Sequence, residues 1–122
     1  MSKILVVDNE EDMVEIVTFR LQRAGHSVIN AAGGKEAIEK AASEKPDLVL
    51  LDLRLPDIQG DEVCKRLKNG EKTKGIPVIL LSASNLGSMI EIQKACGAEA
   101  VISKPFHEDE FLKTVDKILK KE

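Results

Sequence analysis

The stretch Asp47-Leu-Val-Leu-Leu-Asp52 decides the fold, because its four central residues are consecutive and apolar. Such a run between charged residues is typical of a strand that is buried on both faces, as in a parallel sheet. Residues 37–42 place small apolar side chains at helical spacing just before it, and Pro46 stops that helix. We therefore predict a helix followed by a strand over residues 47–51, which is a repeating unit of α/β proteins.

The same alternation extends in both directions from this strand. Apolar runs predict four further strands, at residues 4–7, 27–29, 77–81 and 100–102. Apolar residues at helical spacing predict the other helices, as in Met13, Val14, Val17, Leu21 and Ala24, in Val63, Cys64 and Leu67, in Leu86 to Cys96, and in Phe111, Leu112, Val115, Ile118 and Leu119. Five strand–helix pairs imply the α/β class, with a doubly wound parallel sheet and helices on both faces.

The composition is that of one domain that needs no disulfide or structural metal. The 122 residues include 18 Lys and Arg against 21 Asp and Glu, for a net charge of −3. Nucleic-acid binding requires clustered basic residues, and those of this chain are scattered among acids, which argues against this class of partner. Cys64 and Cys96 lie far apart with no ligand-type residue at metal spacing, which argues against zinc and CxxC redox sites. Without a membrane-length apolar run or a signal peptide, we expect a cytoplasmic protein.

Polar residues stand at the ends of four of the five predicted strands. Ligands of open parallel sheets bind beyond the carboxyl ends of the strands, so these residues are expected to converge on one cleft. Singly, each has an ordinary explanation as a helix cap, a turn residue or a surface charge. Together they suit Mg²⁺ and a phosphoryl group, with Asp52 as a nucleophile that accepts the phosphoryl group. The residues are Asp8, Asn9, Asp52, Ser82 and Lys104.

Four motifs give the whole chain a specific resemblance to the receiver domains of two-component response regulators. They are Ile4-Leu-Val-Val-Asp8-Asn9-Glu10, Asp47-Leu-Val-Leu-Leu-Asp52-Leu-Arg-Leu-Pro56-Asp-Ile-Gln-Gly60, Leu80-Leu-Ser82-Ala83-Ser84 and Ser103-Lys104-Pro105-Phe106. The resemblance implies the flavodoxin-like strand order 2-1-3-4-5 and five helices in a three-layer sandwich. It also implies a single receiver domain over residues 1–122 with no output domain, as in the chemotaxis-type regulators.

The resemblance also assigns roles to individual residues. Asp52 is implied to accept a phosphoryl group from the phosphohistidine of a sensor kinase or of a histidine phosphotransfer protein. Mg²⁺, or Mn²⁺, is implied to bind Asp8, Asn9, Asp52 and the backbone carbonyl of Arg54. The chain would then be a signalling phosphoacceptor that catalyses its own phosphorylation and dephosphorylation, rather than an enzyme with a separate substrate. The other implied roles are catalysis by Asp52, Lys104 and Ser82, phosphate binding by Ser82, Ala83 and Lys104, and switching by Ser82, Val101 and Pro105.

Three features depart from the usual receiver pattern. Asn9 stands where a second aspartate is usual, so we expect weaker Mg²⁺ binding and slower phosphorylation, with compensation by Glu10 left open. Val101 stands where many receivers carry Tyr or Phe, so the packing change on activation is expected to be smaller or carried elsewhere. Arg54, with Ser84, stands where receivers tune the phosphoryl lifetime. Both a shielding role and a solvated loop side chain stay open for Arg54.

Signalling is expected as a population shift at the surface formed by the fourth helix, the fifth strand and the fifth helix. Met89, Ile90 and Ile92 of the fourth helix cannot share one helical face, so at least one should be exposed. The implied partners are the kinase or phosphotransfer protein and a downstream protein target. We expect a monomer or a weak phosphorylation-dependent dimer that binds neither nucleic acid nor membranes.

Three alternatives fit parts of this pattern. A flavodoxin-type electron carrier shares the fold class but needs aromatic rings around its flavin, and the chain has no Trp or Tyr. A haloacid-dehalogenase-type phosphatase needs a second acid two residues after its nucleophile, where Arg54 stands. The third is a degenerate receiver that binds proteins without phosphorylation because Asn9 impairs the metal site. Mg²⁺-dependent modification of Asp52 distinguishes an active receiver from a degenerate one.

Overall fold

The computed structural model describes residues 2–82, 86–104 and 106–120, and there the predicted alternation of strands and helices is confirmed. The strands are β1 (Lys3–Val7), β2 (Ser27–Ala31), β3 (Leu48–Asp52), β4 (Val78–Ser82) and β5 (Ala100–Ser103). The helices are α1 (Glu11–Arg23), α2 (Gly34–Glu44), α3 (Gly60–Asn69), α4 (Leu86–Cys96) and α5 (Glu108–Lys120). All paired strands are parallel, and their order is β2-β1-β3-β4-β5. The expected fold class and strand order are therefore confirmed.

The strand order determines where a ligand site can form. The winding direction reverses at β1, because β2 lies on one side of it and β3 on the other. In doubly wound sheets, the loops diverge at this reversal and leave a crevice beyond the carboxyl ends of the strands. The ends of β1, β3 and β4 lie next to one another at this edge.

The observed strands differ from the predicted ones at their ends. β3 begins at Leu48, one residue later than predicted, and the Asp47 carboxylate before it accepts a 2.8 Å hydrogen bond from the Lys3 N–H. β3 and β4 each run one residue further than predicted, to Asp52 and Ser82, since both residues still pair with the neighbouring strand. These two polar residues are therefore the last residues of the ladder, which fixes their backbones.

Two hydrophobic layers cover the sheet, because successive strand side chains point to opposite faces. The layer under α1 and α5 includes Ile4, Val6, Val17, Leu21, Leu48, Leu50, Phe111 and Val115. The layer under α2, α3 and α4 includes Leu5, Val7, Ala37, Ala41, Val49, Leu51, Val63, Leu67 and Met89. Every residue of β3 is buried, so the prediction of a strand enclosed on both faces is confirmed.

The helices bury most of the predicted faces. The buried residues of α5 are Phe111, Val115 and Ile118. On α4, Met89 is fully buried and Ile90 is 41% exposed, as expected for a set that cannot share one face. Ala24 was predicted as an apolar residue of the first helix, but α1 ends at Arg23 and Ala24 is its exposed C-cap. Within the described segments, every helix is too short or too polar to cross a bilayer.

Candidate functional site

A cleft of about 450 Å³ opens at the carboxyl ends of β1, β3 and β4. Its lining residues are Asn9, Glu10, Asp52, Arg54, Leu55, Pro56, Ser82 and Lys104. Four of the five polar residues singled out in the sequence thus lie in one cleft. The fifth, Asp8, is buried beside it and within hydrogen-bond distance of Lys104.

Asp8 is held at the end of β1 by its own backbone and side chain. Its N–H donates a 3.2 Å hydrogen bond to the Ala31 carbonyl of β2, which extends the parallel pairing by one residue. Its carboxylate accepts the Glu10 N–H at 2.9 Å and so forms an Asx-type turn. This turn fixes the Asp8 carboxylate and leads the chain into α1.

In the described part of the chain, Lys104 carries the only cation within 4 Å of the carboxylates of Asp8, Glu10 and Asp52. Its N–H donates a 2.8 Å hydrogen bond to the Ser82 carbonyl, so its backbone stays attached to the end of β4. Its ammonium lies 3.1 Å from Asp8 Oδ2, 3.6 Å from Asp52 Oδ1 and 3.8 Å from Glu10 Oε1. Because the side chain is only 10% exposed, solvent screens these interactions less than at the surface.

Asp52 lies between opposing electrostatic influences. Burial raises the pKa of this carboxyl above its ordinary value, because burial disfavours the charged form. The nearby Lys104 ammonium lowers the pKa, whereas the negative charge of Asp8 raises it, and the net direction is upward. The Arg54 N–H, 3.4 Å from Asp52 Oδ1, also favours the ionised form. A buried acid whose pKa is shifted by burial and by specific charged neighbours is typical of functional sites.

The loop after β3 is folded back tightly onto the strand that carries Asp52. The Leu53 N–H donates to the Leu81 carbonyl at 3.0 Å, and the Gly60 N–H donates to the Leu53 carbonyl at 2.7 Å. A Cβ atom at Gly60 would lie 2.4 Å from the Asp52 carbonyl oxygen and 2.7 Å from the Leu53 Cα. Only glycine fits this approach, so Gly60 fixes the loop below the cleft.

Asp57 attaches the far side of the same loop to α2. Its carboxylate accepts hydrogen bonds from the N–H groups of Gly34 at 2.7 Å, Lys35 at 3.0 Å and Ile58 at 2.9 Å. The bonds from Lys35 and Gly34 lower the pKa of Asp57 to about 2. Asp57 therefore caps the N-terminus of α2 from outside that helix, where a negative charge is favourable. This role of Asp57 was not predicted from the sequence.

Three carboxylates form a candidate metal centre. One oxygen from each of Asp8, Glu10 and Asp52 lies within 4.8 Å of the other two. Three carboxylates and the Lys104 ammonium together carry a charge of −2. Oxygen donors with this net charge fit a hard divalent cation such as Mg²⁺ or Mn²⁺.

The acid that completes this group is Glu10, whose direction the sequence analysis left open. The structure turns Glu10 toward Lys104, whereas Asn9 is exposed and lines both this cleft and a neighbouring one. A local signal exists in the sequence: Glu10 lies two residues after Asp8, at the position whose N–H the Asp8 side chain binds.

The remaining predicted residues have different surroundings. Ser82 is buried at the end of β4, and the exposed Arg54 lines the cleft. Val101 of β5 is partly buried and lines a cavity of about 250 Å³ beside Phe106. Ala83, Ser84 and Pro105 lie outside the described residues.

Fold and site together define a class of protein, a doubly wound α/β domain with an aspartate–lysine cleft at the carboxyl edge of its sheet. The sequence profile of the response regulator receiver domain matches residues 4–116. The chain belongs to this family, whose members act in two-component systems. Receiver domains are signalling phosphoacceptors that work with histidine kinases or phosphotransfer proteins and bind Mg²⁺ at an acidic cluster.

Individual relatives agree with this assignment. The chain is 40% identical over 119 residues to the alkaline phosphatase synthesis transcriptional regulatory protein PhoP of Bacillus subtilis, covering 98% of this chain and 49% of PhoP. It is 32% identical over 119 residues to protein PilH of Pseudomonas aeruginosa, covering 98% of each. The solved structure of the Vibrio cholerae chemotaxis response regulator CheY4 matches with a TM-score of 0.90 and 31% identity, covering 97% of this chain and 98% of CheY4. The chain therefore spans about half the length of PhoP and nearly all of PilH.

Proposed function

We propose that the chain accepts a phosphoryl group on Asp52, in a Mg²⁺-dependent reaction, from the phosphohistidine of a sensor kinase or a phosphotransfer protein. The placement of the Asp52 carboxylate carries this proposal. The residue is 5% exposed at the last position of β3, lines the cleft, and lies 3.6 Å from the Lys104 ammonium. A largely buried carboxylate beside a fixed cation is suited to receive an anionic group.

The transfer balances without a further reactant. A bond forms between an Asp52 carboxylate oxygen and phosphorus, while the bond from phosphorus to the donor imidazole nitrogen breaks. The electron pair of the broken bond stays on that nitrogen, and the ring leaves as neutral imidazole because its other nitrogen already carries a proton. Asp52 must be ionised to react, and Lys104 favours that form against the opposing effect of burial on its pKa. The Lys104 ammonium also offsets charge on the phosphoryl oxygens.

The other cleft residues supply binding groups. Bound Mg²⁺ would supply positive charge that brings the phosphoryl oxygens and the carboxylates together. Asp8, Asp52 and the Arg54 carbonyl would hold the ion, with Asn9 or Glu10 as a further oxygen ligand; oxygen donors of this kind also accept Mn²⁺. Ser82 and the Ala83 N–H are assigned to the phosphoryl oxygens by family resemblance. The cytoplasmic location expected from the sequence is part of the proposal.

The proposed output is a population shift of the surface made by α4, β5 and α5, read by a downstream protein. Two observations support this surface. Ile90 exposes 41% of its area on α4. Val101, with its small side chain, borders a cavity of about 250 Å³ that also contacts Phe106 and Glu110. Repacking around that cavity is the change we propose in place of the movement of an aromatic ring. The same surface would form the weak dimer, if phosphorylation induces one.

Treatment with acetyl phosphate tests phosphoryl transfer directly. We expect one phosphoryl adduct by intact mass, formed with Mg²⁺ and absent with a chelator. Asp52→Asn should give no adduct, whereas the matched control Asp61→Asn, which removes a carboxylate from the first turn of α3, should react as the native chain does. An adduct in Asp52→Asn, or an adduct that forms equally without Mg²⁺, contradicts the proposal.

The second candidate function, a phosphate-independent binding domain, is favoured by one observation. Asn9 is exposed in the cleft where receivers usually carry an acid. This candidate predicts no adduct from acetyl phosphate or from a phosphorylated phosphotransfer protein, in a sample whose cooperative thermal unfolding shows that it is folded.

A further inference from the structure

Arg20, near the end of α1, contacts an aromatic ring that lies two residues beyond Lys104. Its guanidinium carbon is 5.9 Å from the centre of the Phe106 ring. Its Nε lies 3.4 Å from Glu108 Oε1, at the first residue of α5. One side chain of α1 therefore contacts both the segment that follows Lys104 and the first residue of α5.

Phe106 is held on a second side by the core. Its ring stacks on that of Phe111, with centres 4.9 Å apart and an angle of 19° between the planes. Phe111 is fully buried in the layer under α1 and α5. We call Arg20, Phe106, Glu108 and Phe111 the Phe106 clamp.

The clamp and the sheet hold Lys104 from opposite sides along the chain. On the amino-terminal side of its Cα, the Lys104 N–H donates a 2.8 Å hydrogen bond to the Ser82 carbonyl. Two residues later, the ring of Phe106 contacts both Arg20 and Phe111. A lysine has a flexible four-carbon stem, so the position of its ammonium depends on how firmly the backbone on both sides is placed.

We propose that Arg20 is a positioning residue, which keeps the Lys104 ammonium among the carboxylates of the cleft by holding Phe106 against α1 and α5. The inference rests on the proposed function only for the use made of Lys104. Arginine suits this task because its planar cation lies over an aromatic face while pairing with a carboxylate. A lysine at position 20 retains the charge for both contacts.

Arg23 provides a matched control on the same helix. Its guanidinium carbon lies 5.6 Å from the centre of the Phe19 ring, which is the same kind of contact between two α1 side chains. Arg23→Ala thus removes one arginine and one cation–aromatic contact without removing the contact to Phe106.

The test measures the acylation rate of each lysine with a water-soluble N-hydroxysuccinimide ester, by peptide mass spectrometry, without Mg²⁺ or a phosphoryl donor. Lys68 is the internal reference, since it is also largely enclosed, 18% exposed, and paired with Glu99 at 2.8 Å. We expect Arg20→Ala to raise the Lys104 rate about two- to five-fold relative to Lys68. Arg20→Lys should restore most of the native ratio, and Arg23→Ala should leave it unchanged.

Three results would overturn the inference: an unchanged Lys104 rate in Arg20→Ala, an equal rise at Lys68, which indicates general loosening, or the same rise in Arg23→Ala. Because the labelling needs no phosphoryl transfer, a failure of Asp52 to react leaves this test intact. If Asp52 does react with acetyl phosphate, Arg20→Ala should slow the adduct by a similar factor and Arg20→Lys should recover it. An unchanged rate of adduct formation would show that the clamp does not position Lys104 for the reaction.

Discussion

The two edges of the sheet differ in how their charged groups are paired. At the amino edge, the Glu99 carboxylate accepts hydrogen bonds from the Lys68 ammonium and the Val78 N–H, both at 2.8 Å, and Lys68 also donates to the Ile76 carbonyl at 3.0 Å. At the carboxyl edge, three carboxylates share the single ammonium of Lys104.

This difference separates stabilising groups from functional ones. A matched pair that also satisfies backbone groups connects α3, β4 and β5 at the amino edge. The unmatched acids at the carboxyl edge repel one another, and burial raises the pKa of Asp52. Excess negative charge in a cleft reduces the stability of the fold but attracts a divalent cation. Removing a carboxylate charge should therefore destabilise the fold at the amino edge and stabilise it at the carboxyl edge.

The largest effect is expected from glycines that differ in their surroundings at the two edges. Gly60→Ala would place a Cβ 2.4 Å from the Asp52 carbonyl oxygen, whereas a Cβ at Gly75, in the loop before β4, meets nothing within 4 Å. We expect Gly60→Ala to lower the free energy of unfolding by about 2–4 kcal/mol, since backbone atoms must move. Gly75→Ala should change it by less than about 1 kcal/mol. Chemical denaturation measures both, and equal effects would show that the close approach at Gly60 is not restrictive.

The second effect comes from breaking the ion pair between Lys68 and Glu99 at the amino edge. Glu99→Gln removes the negative charge from the carboxylate that pairs with Lys68 and accepts the Val78 N–H. We therefore expect the free energy of unfolding to fall by about 1–2 kcal/mol at low salt. Glu91, exposed on α4, is the control, and Glu91→Gln should stay within about 0.5 kcal/mol of the native chain. A Glu99→Gln variant as stable as the control would show that the Lys68–Glu99 pair adds no stability.

The sequence predicts the fold well because its signals there are local. Four consecutive apolar residues before Asp52 identify a strand enclosed on both faces, and helical spacing identifies the stripe from Phe111 to Leu119. The convergence of Asp52, Ser82 and Lys104 was also predictable, since strand ends in a parallel sheet meet at one edge.

The contacts that the sequence analysis missed are between distant elements. Nothing local shows that Asp57 caps α2 or that Arg20 lies over Phe106. These contacts depend on how the helices cross the sheet and on side-chain rotamers, which periodicity does not determine. The exposed Ala24 was mispredicted for a simpler reason, because the helical pattern does not mark the residue where α1 ends.

The third effect has the opposite sign, because it removes one of the three carboxylates that share Lys104 at the carboxyl edge. Asp52→Asn removes a buried charge while retaining a side chain of similar shape. We therefore expect the free energy of unfolding to rise by about 1 kcal/mol at pH 7, which raises the melting temperature by roughly 4 °C. Asp61→Asn removes a charge that favours the N-terminus of α3 and should be slightly destabilising instead. A native chain more stable than Asp52→Asn at low salt would mean that the pairing with Lys104 outweighs the cost of burial.

The pH dependence of stability in the native chain and in Asp52→Asn tests the same cost of burying the Asp52 charge. The folded chain holds the Asp52 proton more tightly than the unfolded chain, because burial raises the pKa above its ordinary value of 3.8. The contribution of Asp52 to stability is therefore largest below pH 3.8 and is lost as the pH rises through the raised pKa. Urea denaturation of both proteins across this range should show the free energy of unfolding of the native chain rising relative to that of Asp52→Asn as the pH falls. A constant difference would show that Asp52 has the same pKa in both states.

The smallest effect on stability comes from adding a further acid to the unmatched edge. Asn9→Asp places another carboxylate in the exposed mouth of the cleft, so without metal we expect a loss of only about 0.5 kcal/mol. Mg²⁺ affinity should rise about three- to ten-fold by calorimetry, because the added charge is close to the ion. Asn69→Asp adds the same charge at the end of α3, remote from the cleft, and should leave Mg²⁺ affinity unchanged. Equal affinities in Asn9→Asp and the native chain would mean that Glu10, the third acid of the cleft, already supplies what Asn9 lacks, so that the charge excess at this edge is complete without an acid at position 9.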